Sequence, residues 1–233
     1  MDDLEALLRA VKEFRESPPD VGPAWLAKRE LTAQLRKFGN AVCGSQANPE
    51  DIRALARFLE EKLGMLHVPA ADAGADDPRA ATVAPGMEDF FDRGPIAGKS
   101  NPIAPPATLE IDVDHRLIRG QVTFGKAFEG APGCVHGGFT AAVLDEALGM
   151  ACIFAGGPAM TAELTTRYRQ HTPIETPLRI EARLDTVEGR KLRTSGEIYS
   201  GDAVIADSRG LFIAVGPGKF IDLLKARRDG DAG

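Results

Sequence analysis

The residues best suited to chemistry stand in one stretch, Gly133-Cys134-Val135-His136-Gly137-Gly138, and nine positions beyond its histidine, at Asp145. After the glycines the chain runs as an almost wholly apolar helical segment to about Ala155. Between Gly137 and Gly157 the only charged side chains are Asp145 and Glu146. A helix that is apolar nearly all round is expected to be buried. A carboxylate inside it is costly unless it is paired or reactive. Backbone N–H groups at the start of such a helix can polarise a carbonyl oxygen, and Gly137 and Gly138 have no side chain to block one. His136 either positions this loop or donates to a bound group. Asp145 is the candidate general base or nucleophile, the alternative being a buried ion pair with an arginine of a neighbouring sheet. Asp145 and Glu146 point ~100° apart around a helix, so only one faces a given site. Asp145 shares its side with Ala141 and Leu148, and Glu146 with Val143 and Met150, which leaves Glu146 a supporting or interface residue. At ~1.5 Å per residue, His136 and Asp145 stand ~13 Å apart along the helix. That is too far to serve one carbonyl within a single chain, so the spacing points to a site completed by two chains.

The elements that must hold this segment follow from the periodicity on either side. Leu4, Leu7, Leu8, Val11 and Phe14 recur at helical spacing before Pro18-Pro19. A second helix is expected over 23–39, carrying Trp25, Leu26, Leu31, Leu35 and Phe38 and stopped by Gly39-Asn40. A third has Asn48 as N-cap, Pro49 in the first position, Glu50 and Asp51 in the first turn, a stripe of Ile52, Leu55, Ala56, Leu59 and Leu63, and Gly64 at its end. These predict a small helical extension over 1–66, serving as a packing or dimerisation appendage or as a separate ligand-binding unit. Residues 67–107 are rich in Pro, Gly, Ala and Asp and read as a linker or extended arm, anchored in part by Met87, Phe90 and Phe91. From Thr108 the period becomes two: Leu109, Ile111 and Val113 alternate with acidic residues, a turn falls near Asp114-His115, and 117–124 forms the hairpin partner. After the apolar helix four strands are expected, at roughly 160–170, 177–187, 191–200 and 203–215. The domain therefore runs over 108–216, and 217–233 is a tail with a short amphipathic helix at 219–227. Two strands, one long helix and four strands predict an α+β fold, an antiparallel sheet wrapped around one helix.

The 233 residues suffice for one large domain with an appendage, and 43% hydrophobic content permits a sizeable core. A net charge of −6 argues against a nucleic-acid groove as the main surface. The three scattered cysteines, Cys43, Cys134 and Cys152, fit a reducing cytoplasm better than a disulfide framework. The acidic start of the chain does not read as a signal peptide, and no apolar run is expected to reach the ~20 residues of a membrane span. His67, His115, His136 and His171 lack metal-ligand spacing, so neither a metal nor another cofactor is expected. A Walker-type loop and a Gly-x-Ser-x-Gly elbow are both absent from the sequence.

The segment Phe128-Glu129-Gly130-Ala131-Pro132-Gly133-Cys134-Val135-His136-Gly137-Gly138, with Asp145 following, resembles the PaaI-like acyl-CoA thioesterases of the hotdog fold. The stretch from Met160 to Tyr168 is similar to that family's strand after the helix, and the resemblance covers about 108–215. It implies hydrolysis of acyl-CoA to free acid and CoA, and a dimer or tetramer with active sites at the subunit interface. It also implies a hydroxyl residue at Thr161 that orients a water near Asp145. In some related thioesterases an asparagine or glutamine stands six residues before the histidine; here that position is Gly130, so the backbone donors or another group must carry its work. CoA phosphates call for basic residues at the pocket mouth. Arg190 and Lys191 in a turn are the preferred pair, with Arg167 and Arg169 on one face of a strand as further candidates; solvated surface charge is the alternative for each. Two rival functions are a hotdog enoyl-CoA hydratase and a non-catalytic acyl-CoA-binding or regulatory module. Asp145 speaks against the module, because a pure binder is better served by an apolar residue there.

Overall fold

The computed structural model describes residues 22–66 and 92–216. The helix expected over 4–14, His67, the anchors Met87, Phe90 and Phe91, and the helix expected over 219–227 lie outside them. Six strands form one antiparallel sheet: β1 (Thr108–Asp112), β2 (Leu117–Val122), β3 (Ala159–Tyr168), β4 (Leu178–Glu188), β5 (Lys191–Ser200) and β6 (Ala203–Ala214), in the order β1-β2-β4-β5-β6-β3. The sheet curls around one helix, Gly137–Ala151, which continues as a 3-10 turn to Ala155. This is the hotdog architecture.

Alternation explains the sheet. Along β4 and β5, Leu178, Ile180, Ala182, Leu192 and Ile198 are buried on the helix side, while Arg179, Arg183 and Arg193 point outward. The helix answers with Thr140, Val143, Leu144, Ala147, Leu148 and Ala151, one stripe at helical spacing. Its other side, with Phe139, Ala142, Asp145, Glu146, Gly149 and Met150, is only half-buried. This corrects the expectation of burial all round: a single sheet covers only one side of the helix it packs against. Gly137–Ala155 is also long and apolar enough to cross a membrane by length and composition, contrary to the sequence expectation. In this fold its apolarity serves the core on one side and leaves an apolar surface on the other.

Among the described residues strand β3 is an edge strand, paired only with β6, and most of its side chains are exposed. A β-bulge between Thr161 and Glu163 shifts its register. N-terminal to the sheet lie α1 (Gly22–Cys43) and α2 (Pro49–Leu63); the core helix, third among the described residues, is α3. One seam of α1 docks on the rest of the chain. Trp25 and Thr32 are buried, Arg29 pairs with Asp92 at 2.9 Å, Arg36 donates to the Gly98 and Asn101 carbonyls, and Asn40 Oδ1 accepts from the Ala127 N–H. Gly39-Asn40 therefore does not end the helix as expected, because Asn40 uses its side chain on a distant backbone rather than on its own helix end. Through these contacts the described part of the arm, 92–107, is fastened to α1. Helix α2 matches its sequence expectation, with Asn48 capping the Glu50 and Asp51 N–H groups, yet it has no buried residue.

Candidate active site

The loop before α3 is built to hold its first turn. Gly133 adopts φ 75°, a left-handed conformation that favours glycine, and its N–H donates to Glu129 Oε1 at 2.5 Å. The His136 N–H donates to the Phe128 carbonyl at 2.8 Å, closing the loop on itself. Gly130 lies against this histidine: a Cβ there would come within 2.9 Å of the His136 Cα. The fold thus leaves no room for a longer side chain at 130 without a backbone shift.

His136 is the N-cap of α3, its Nδ1 accepting from the Gly138 N–H at 3.1 Å. The Gly138 N–H is therefore already engaged, and the expectation that both glycines offer a donor is corrected: the cap takes one of them. The Gly137 N–H has no acceptor among the described residues. The Gly137 carbonyl accepts from the Tyr168 hydroxyl at 2.8 Å, and a Cβ on Gly137 would stand 3.2 Å from the Tyr168 ring. Sequence reasoning included Tyr168 in a matched stretch and gave it no role. The available signal was a phenol at the exposed end of the strand that follows the helix.

Two turns further along α3, Asp145 Oδ1 accepts from the Thr161 hydroxyl at 3.0 Å. Burial raises the Asp145 carboxyl above its ordinary range, and the Thr161 hydrogen bond partly offsets this. Among the described residues no arginine or lysine forms an ion pair with Asp145. Nearby, burial and then the Asp145 charge push the Cys152 thiol up to about 12, which keeps it protonated and inert.

The bulge decides which β3 side chains reach α3. Thr161 touches Asp145, and Tyr168 touches Gly137, seven residues later. In a regular strand an odd spacing puts two side chains on opposite faces. The extra residue between Thr161 and Glu163 restores both to the helix side. The two halves still stand apart, His136, Gly137 and Tyr168 at the start of α3 and Asp145 with Thr161 ~12 Å along it, at ~1.5 Å per residue. Arg190 and Lys191 lie at the Thr161 end of the sheet. Arg190 Nε donates to the Ala214 carbonyl at 3.2 Å, and Ala214 pairs with Ala159. Arg167 sits on the outer face with Arg169, away from both halves; Arg169 pairs with Asp207, and no ion pair to Arg167 occurs among the described residues. Among the described residues no group of three or more His, Cys, Asp or Glu side chains is placed to hold a metal ion.

Residues 132–206 match the family model described as Thioesterase superfamily. Over 97 residues the chain is 38% identical to the acyl-coenzyme A thioesterase THEM4 of Bos taurus, covering 41% of this chain and 40% of that protein. Over 95 residues it is 35% identical to THEM4 of Xenopus laevis, covering 40% and 43%. The chain thus matches about two fifths of the length of these curated relatives. A solved thioesterase superfamily protein is similar over more of the chain, with 33% identity, a TM-score of 0.67, and coverage of 80% of this chain and 94% of the other. That coverage exceeds what the chain from Thr108 to its end can supply, so the likeness extends into the N-terminal region.

Proposed function

The chain belongs to the thioesterase superfamily, and from that premise we propose that it hydrolyses acyl-CoA thioesters to free acid and CoA. A fold hosts many activities, so the site must carry the reading. The observation that carries it is Asp145: a half-buried carboxylate, kept basic by burial, held by one hydroxyl and by no cation among the described residues. With Oδ1 on Thr161, Oδ2 is left to take a proton from water. The water adds to the thioester carbonyl while the oxygen, gaining charge, is held by the Gly137 N–H at the positive end of α3. Collapse of the adduct expels the CoA sulfur, which receives the proton from Asp145. Acid and thiol leave, and the carboxylate is regenerated.

The distance between the two halves supports a site shared by two subunits. The free edge of β3 accepts a second copy running antiparallel, which sets the Tyr168 end of one strand against the Thr161 end of its neighbour. Gly137 then faces Asp145 of the partner subunit. Arg190 and Lys191, at the sheet end that carries Thr161, are the groups assigned to the CoA phosphates. All three cysteines are unpaired, which suits a reducing compartment such as the cytoplasm.

Release of free thiol from a panel of acyl-CoAs tests the function, with enoyl-CoA hydration measured alongside. The expected result is thiol release that disappears in Asp145→Asn. Hydration without thiol release would favour a hydratase, and tight acyl-CoA binding without either reaction would favour a binding module.

A further inference from the structure

A donor N–H is useful only if it is aimed, and the peptide that follows Gly137 joins two glycines, the least restrained pair a backbone can offer. At the start of a helix the first N–H groups have no intrahelical acceptor to steady them. Here both polar groups of the 137–138 peptide are held from outside the helix. Its carbonyl accepts from the Tyr168 hydroxyl at 2.8 Å, and its N–H donates to His136 Nδ1 at 3.1 Å. The two bonds form one chain: Tyr168 O–H to the Gly137 carbonyl, then, across the peptide plane, the Gly138 N–H to His136 Nδ1. Each bond polarises the next.

Two further features bear on this chain of bonds. The Tyr168 ring lies over Gly137, with 3.2 Å between it and the position a Cβ would take, so the ring as well as the hydroxyl limits how the peptide can rotate. Accepting at Nδ1 requires that ring nitrogen to be unprotonated, so the neutral imidazole carries its proton on Nε2. His136 is thereby left with an N–H donor at its exposed edge. Gly130 cannot add a side-chain donor here without a backbone shift, so the aim of the backbone N–H matters more.

We propose that Tyr168 is a positioning residue for the reaction. Its hydroxyl fixes the 137–138 peptide, and through it the direction of the Gly137 N–H and the tautomer of His136. This rests on the thioesterase reading above.

Tyr168→Phe removes the hydroxyl and keeps the ring. We expect kcat to fall about tenfold, less than the loss on deleting such a donor outright, with KM changed by less than about twofold. The unfolding midpoint should stay put. By 15N NMR, the His136 ring of the wild type should show its proton on Nε2, and the variant should shift the Gly138 amide resonance. Wild-type kcat in Tyr168→Phe, or a raised KM with kcat intact, overturns the positioning role and leaves thioester hydrolysis standing. A wild-type protein that releases no thiol from any acyl-CoA overturns the reaction itself, and the positioning role with it. Should the variant fail to fold, the wild-type spectrum decides, because a proton on His136 Nδ1 contradicts the chain of hydrogen bonds.

Discussion

At Asp145 two effects oppose each other. Burial favours the neutral acid, and the Thr161 hydroxyl favours the carboxylate. Because burial dominates, the folded protein binds this proton more tightly than the unfolded chain does. The ionised group therefore costs stability, and that cost disappears as pH falls through its raised pKa. Activity runs the other way, since the base must be ionised. Asp145→Asn should lower kcat by at least ~100-fold while thermal unfolding stays equal or moves up, because a buried charge is removed. Thr161→Ala removes a hydrogen bond that favours ionisation, so the acid limb of the kcat/KM profile should move to higher pH. A profile that stays where it was would detach Thr161 from the base. For the basic turn, Arg190→Ala with Lys191→Ala should raise KM with little change in kcat, because phosphate contacts are alike in ground and transition states. An unaltered KM would send the phosphate site to another part of the surface.

Among the elements, β3 carries the most positional information. Thr161 and Tyr168 reach the same helix only because the bulge corrects their odd spacing. Deleting Ala162 should straighten the strand and turn one of the two outward. Thiol release should then fall to about 1% of wild type or below, as when a general base is lost, while circular dichroism still reports the sheet; retained activity would show that the bulge is irrelevant to the site. This bulge also marks how far the sequence could be read. The period-two strands, the apolar run of α3 with Asp145 inside it, and the Asn48 cap were legible, because each is a local pattern; which side of α3 the sheet would cover was not. The Tyr168–Gly137 bond was not, because it joins residues 31 apart through a register shift that leaves no sequence mark. The capture of the Gly138 N–H by His136 was also missed, since glycines at a helix start read as open donors until a neighbouring acceptor is placed. Helix α1 shows the same limit: Gly39-Asn40 looks like a stop, and only the contact from Asn40 to Ala127, 87 residues away, explains why it is not.

For the whole molecule, the decisive arrangement is the separation of Gly137, at the start of α3, from Asp145, near its middle. If Gly137 and Asp145 act from different subunits, Asp145→Asn and Gly137→Pro are each inactive alone and should rescue each other when mixed. Proline suits this first helical position, since the preceding His136 already has φ −59° and ψ 127°, although the Tyr168 ring must yield by a few tenths of an ångström. Random exchange makes about half the dimers mixed, each with one intact site of two, so activity should return to roughly a quarter of wild type. No recovery after demonstrated subunit exchange would refute the shared site. The free edge of β3 has a further consequence, in reaction order. An uncovered edge strand is a hazard for unwanted pairing, and under the shared-site proposal the partner that covers it would also supply the missing half of the chemistry. Below the dissociation constant of the pair, turnover should therefore scale with the square of total protein and become linear above it. A newly made subunit that has not met its partner should then be chemically silent, with the reaction starting only where the chain has accumulated.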